Sequence, residues 1–98
     1  MNWSNNRLTI LGNRAQVRRF QKSHWVRSLR ARYCELLECA PGRVVIQFDS
    51  ESPPVEKLRQ LSGRWPGIYL LENELESRRI KGLAKLSGGR VDHCELSY

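Results

Sequence analysis

The chain has 98 residues, of which 40% are hydrophobic, and carries a formal charge of +7 from 17 basic and 10 acidic residues. That length makes one domain spanning residues 1–98, and apolar residues spread along the whole sequence exclude a disordered chain. No apolar run approaches the roughly 20 residues needed to span a bilayer, and the opening Met1-Asn2-Trp3-Ser4-Asn5-Asn6-Arg7 has no hydrophobic secretion segment, so the expected location is the cytoplasm.

The charge is unevenly placed. Every charged residue from Arg7 to Arg32 is basic, namely Arg7, Arg14, Arg18, Arg19, Lys22, Arg27, Arg30 and Arg32, and no acid precedes Glu35. The rest of the chain is nearly balanced. An excess confined to one segment predicts a polyanionic or acidic partner rather than a reaction. The cysteines number three, Cys34, Cys39 and Cys94. An odd count argues against a closed disulfide framework, and reduced, mostly buried thiols are expected.

In chain order, Arg7-Leu8-Thr9-Ile10-Leu11 is β-rich and stops at Gly12. Asn13 is an N-cap residue for a helix from Arg14 to about Lys22. Val17, Phe20 and His24 share one face of it, with Arg14, Arg18 and Lys22 as a basic stripe alongside. Like charges at that spacing repel by a few tenths of a kcal/mol each. A sequence that carries this cost either gains from a partner or neutralises the stripe elsewhere. Ser23–Ala31 reads equally as helix or loop. Tyr33–Cys39 and Arg43–Asp49 form strands joined by the turn Ala40-Pro41-Gly42, and the second alternates cleanly, with Val44, Ile46 and Phe48 on one side.

Pro53-Pro54 opens a second helix whose buried face holds Val55, Leu58, Leu61 and Trp65, with Gly63 as its C′ residue. Trp65-Pro66-Gly67 turns into a strand over Ile68–Glu76, with Tyr69, Leu71 and Leu75 on one face and Glu72, Glu74 and Glu76 on the other. Arg79–Leu86 is the next strand, and its Arg79, Lys81 and Lys85 can pair with the glutamate row. Ser87-Gly88-Gly89 is a hairpin turn into a last strand, Arg90–Leu96. The order β-α-β-β-α-β plus a C-terminal hairpin predicts an α+β domain of ferredoxin-like, split-βαβ type, an antiparallel sheet with two helices on one face.

The opening Asn2-Trp3-Ser4-Asn5-Asn6-Arg7-Leu8-Thr9-Ile10-Leu11-Gly12 resembles that of YubB-like proteins, which carry a ferredoxin-like domain and occur on plasmids and other mobile elements. Phe48 through Pro53-Pro54, Leu58, Leu61-Ser62, Trp65-Pro66, Glu74 and Gly82 are similar to that family's second half. Ser4 stands where the family usually has Cys, and the segment after the first helix is shorter and more basic. The resemblance implies the fold and an origin on a mobile element, and it transfers no catalytic residue.

The expected site is Arg14, Arg18, Arg19, Lys22, Arg27, Arg30 and Arg32, contacting nucleic acid, with Trp25, Tyr33 and Trp65 as aromatic anchors. The alternative partner is an acidic protein surface of the host or a phage, for example that of a defence nuclease. The bland alternative is a solvated helix face balanced by the acidic strand row. The Lys/Arg-Gly-aromatic-Gly-aromatic signature of RNA-recognition motifs is absent, which argues against RNA binding on the sheet face. Cys34, Cys39, His93 and Cys94 do not have zinc-ligand spacing. No catalytic constellation and no phosphate-cradling loop surrounds His24, His93 or Gly88-Gly89. No enzyme activity, metal or cofactor is expected. A monomer, or a homodimer through an exposed edge strand, is allowed.

Overall fold

The computed structural model describes residues 3–65, 67–75 and 78–97. It is an α+β structure with three helices and a six-stranded sheet. Strands β1 (Ser4–Leu11), β2 (Arg32–Ala40), β3 (Arg43–Ser50), β4 (Ile68–Leu75), β5 (Ile80–Ser87) and β6 (Arg90–Ser97) lie in the order β2-β3-β1-β4-β5-β6. Every neighbouring pair is antiparallel. Helices α1 (Arg14–Lys22), α2 (Trp25–Ser28) and α3 (Val55–Arg64) pack on one face.

The register shows how alternation builds that face. Leu8 and Ile10 on β1 oppose Ile46 and Val44 on β3, and Leu71 and Tyr69 on β4. Tyr69 and Leu71 in turn oppose Leu86 and Ala84 on β5. Side chains of alternate residues share a face, so these rows form one apolar surface. Val17 and Phe20 from α1, Leu29 after α2 and Leu58 from α3 complete the core. Leu58 is wholly buried, so Leu58→Ala should lower the unfolding free energy by about 2–5 kcal/mol, measured by urea titration.

Local chemistry sets the element ends. Asn13 forms a capping box: its side chain accepts from the Gln16 N–H at 2.9 Å, and the Gln16 side chain accepts from the Asn13 N–H at 3.1 Å. Between β5 and β6 the two loop residues Gly88 and Gly89 both have positive φ, 57° and 81°, the backbone of a tight hairpin that glycine adopts without steric cost. That turn is fastened to α3, because the Gly89 N–H donates to Ser62 Oγ at 3.0 Å.

Several expectations change. The ambiguous Ser23–Ala31 segment contains the four-residue α2, so the described residues hold three helices rather than two. His24 lies beyond the Ser23 C-cap of α1 and is exposed instead of facing the core. Gly63 lies within α3, whose C-cap is Trp65. A Cβ at Gly63 would stand 3.6 Å from Gly89 Cα, an ordinary van der Waals contact, so helix and hairpin lie against each other there without requiring a glycine. The first strand begins earlier than expected, at Ser4, because Ser4 and Asn6 turn inward. Ser4 Oγ donates to Asn6 Oδ1 at 2.7 Å, and Asn6 Nδ2 donates to Ser50 Oγ at 2.8 Å, which satisfies these buried polar groups. Pro66 and Glu76, parts of the expected turn and acidic row, lie outside the described residues.

The thiols are the clearest reversal: Cys34, Cys39 and Cys94 are all exposed. They sit on β2 and β6, the two edge strands, where every described residue is exposed. Partial burial still pushes the Cys34 thiol above its ordinary value. All three should therefore react with a disulfide reagent in the folded protein, Cys34 slowest at neutral pH, because the thiolate is the attacking species.

Tyr69 is completely buried and donates its hydroxyl to the Trp65 carbonyl at 2.6 Å. Burial pushes its pKa from 10 up to about 12. The unfolded chain loses this proton near 10 while the folded one keeps it to about 12. This contribution to stability is therefore complete below the lower value and is lost as pH rises toward the upper one. Urea midpoints should fall across that window, and Tyr69→Phe should flatten the fall.

Candidate nucleic-acid interface

Helix α1 divides its surface cleanly. Val17 and Phe20 are buried, while Arg14, Ala15, Arg18, Arg19 and Lys22 are exposed. The helix carries no acid in its first turn. Arg14 there stands against the positive end of the helix dipole, an arrangement that costs stability, whereas Arg19 and Lys22 in the last turn are placed favourably. The charge pattern as a whole is therefore not explained by helix stability.

The acids do not cancel it. Among the described residues, the side chains of Arg14, Arg18, Arg19, Lys22, Arg27 and Arg30 make no ion pair and no hydrogen bond. The glutamates of β4 point to the opposite side of the sheet. Glu72 opposes Arg7 on β1, and Glu74 opposes Lys81 on β5, while Glu38 and Asp49 share that open face with Val45 and Arg32. Glu38 pairs with Arg43 at 3.2 Å, and Glu56 is held by Arg59 on α3. The open face is thus a self-balanced set of opposed charges, and the helix face keeps its excess.

The expected site residues separate into three places. Arg14, Arg18, Arg19 and Lys22 stand together and enclose a surface hollow of about 370 Å³ on α1. Arg27, on α2, and Arg30, in the turn after it at φ 52°, are exposed. Arg32 opposes Asp49 on the other side of the sheet, its guanidinium 4.8 Å from the centre of the Trp3 ring and 5.3 Å from that of Tyr33. The reason is a break in the β2 register between Arg32 and Glu35, where Tyr33 takes a positive φ of 54°. An extra residue at such a bulge re-aims the side chains around it.

The aromatic anchors differ as well. Trp25 stacks on Phe20 with centroids 6.0 Å apart and leans on Phe48 at 5.9 Å, so its ring is engaged by the core. Tyr33 is 75% exposed but on the Arg32 side. Trp65 is half-buried at the end of α3, with the Arg64 guanidinium 5.7 Å from its ring centre. A groove of about 440 Å³ runs between α1 and α3 beside it, lined by Arg19, Lys22, Ser23, His24, Ser28, Leu61, Arg64 and Trp65. Arg64 is not among the residues expected at the site from the sequence. Its signal was local, a cation in the last turn of the second helix directly before a tryptophan.

Cys34 and Cys39 on β2 and Cys94 on β6 lie at opposite edges of the sheet. Among the described residues no three His, Cys, Asp or Glu side chains are grouped to hold a metal ion, and no described helix is long and apolar enough to cross a membrane.

Comparison with protein-family models, with curated proteins and with solved structures finds no match to this chain.

Proposed function

We propose that this chain is a small non-enzymatic binding protein that contacts nucleic acid through the exposed face of α1 and the segment after it. The observation that carries the reading is the unpaired cation set Arg14, Arg18, Arg19 and Lys22, with Glu35, Glu38, Asp49, Glu72, Glu74 and Asp92 turned to the other side of the sheet. Guanidinium groups free of internal partners contact phosphates by charge-assisted, bidentate hydrogen bonds. Such contacts give affinity with little sequence preference.

A ferredoxin-like, split-βαβ arrangement with two strands added at one edge goes with this reading. It is supported by the position of β1 between β3 and β4 and by α1 and α3 on one face. Membership in the YubB-like family, and with it an origin on a mobile element, is supported by the resemblance of the opening motif and of the second-half residues from Phe48 to Gly82.

The test is anisotropy of labelled single- and double-stranded oligonucleotides at several salt concentrations. Micromolar or tighter binding, with log K falling steeply against log salt, supports phosphate contacts, and the slope counts them. Absence of binding at low salt overturns the reading. A second reading, docking on an acidic protein surface, is favoured by the exposed apolar residues of β2, where Tyr33, Leu36 and Leu37 are 75%, 57% and 41% exposed. Recovery of one discrete protein after nuclease treatment, lost on Leu36→Ser, would replace the first reading with the second.

A further inference from the structure

The groove between α1 and α3 joins two features that lie far apart in sequence. Arg19 and Lys22 line both this groove and the hollow on the outer face of α1, so the basic surface continues inward without interruption. On the α3 side it meets Arg64 and the Trp65 ring, with Leu61 beside them. None of the residues lining the groove is an acid. Trp65 also differs from Trp25, whose ring is taken up by Phe20 and Phe48.

Cations beside an aromatic ring in a concave site serve a ligand that offers both negative charge and a flat apolar face. A duplex presents phosphates on a convex surface and hides its base faces in the stack, so a ring inside a groove gains nothing from it. An unpaired strand exposes both groups and binds by base–aromatic stacking along a charged track. We infer that the α1–α3 groove is a binding site for single-stranded nucleic acid: Arg19, Lys22 and Arg64 take the backbone phosphates and Trp65 takes a base. This rests on the nucleic-acid reading above and narrows it to unpaired strands.

The experiment compares a labelled oligothymidylate with a blunt duplex of equal length, by anisotropy at low salt, for the wild type, Trp65→Leu, Trp65→Phe and Arg64→Glu. Arg64 is exposed, so its substitution tests the groove even where Trp65→Leu impairs folding. Trp65→Leu should weaken single-strand binding roughly tenfold or more, the size of one lost stacking contact. Duplex binding should stay within about twofold, and Trp65→Phe should restore most of the loss. Arg64→Glu should lower single-strand affinity and flatten its salt dependence. If Arg64→Glu and the Trp65 variants leave the ratio of single- to double-strand affinity unchanged, while reversal of Arg18 and Arg19 still removes binding, the groove is not the site and the nucleic-acid reading stands. If the wild type binds neither oligonucleotide, both fall together.

Discussion

Replacing Arg18 and Arg19 together with glutamate is expected to abolish oligonucleotide binding without unfolding the domain. Both side chains are exposed and make no ion pair or hydrogen bond among the described residues. Their removal therefore leaves no internal partner stranded. Two lost phosphate contacts should reduce the slope of log K against log salt by about two, and two new negative charges add repulsion. At moderate salt the affinity should fall on the order of 100-fold or more. Stability should change little, because loss of the favourably placed Arg19 in the last turn of α1 offsets the gain at position 18. A glutamate at position 18 stands four residues from both Arg14 and Lys22, turning two repulsions into attractions worth a few tenths of a kcal/mol each. A urea midpoint close to that of the wild type, together with lost binding, is the expected pair of results. Binding that survives the double reversal sinks the assignment of α1.

Phe20→Ala should be the most damaging single truncation in the core, costing about 3–5 kcal/mol. The ring is 1% exposed and holds the centre of an aromatic chain. It stacks on Trp25 at 6.0 Å and meets the edge of Tyr69 at 5.4 Å, and Trp25 continues to Phe48. Its removal opens a cavity under α1 and leaves α2 without its main support, since α2 buries no residue of its own within Trp25–Ser28. Against a total stability of about 5–15 kcal/mol for a domain, much of the protein would be unfolded at moderate urea. A wild-type urea midpoint for this variant would show that α1 is not held through Phe20.

The parts of this architecture legible in the sequence are those with local causes. The Asn13 N-cap, the alternation of Val44, Ile46 and Phe48, and the Gly88-Gly89 hairpin each follow from neighbours a few residues away. What was not legible depends on non-local placement. Cys34, Cys39 and Cys94 look like core residues by type, and they are exposed because their strands became the sheet's edges. Gly63 looks like a helix terminator, yet the helix runs past it to Arg64 where α3 is fastened to the β5–β6 turn through Ser62 and Gly89. The basic segment reads as one unit, yet the backbone break at Tyr33 sends Arg32 to the opposite face. The groove around Trp65 is beyond local reasoning altogether, since packing of α1 beside α3 is what brings Arg19 and Arg64 to one cleft.

The place of β1 in the sheet also governs how the chain must assemble. It precedes the other five strands in chain order and is one of the two innermost in the finished sheet, flanked by β3 and β4. Leu11 must find Arg43 on one side and Ile68 on the other, so neither ladder can close as a hairpin. Each closure spends loop entropy before any pairing repays it, and folding dominated by such distant contacts is slow. The apolar Leu8 and Ile10 therefore stay unpaired until β3 has emerged, and keep one side open until β4 follows. A chain truncated before β4 would leave one whole side of its central strand open, and should be recovered as aggregate rather than as a smaller folded unit.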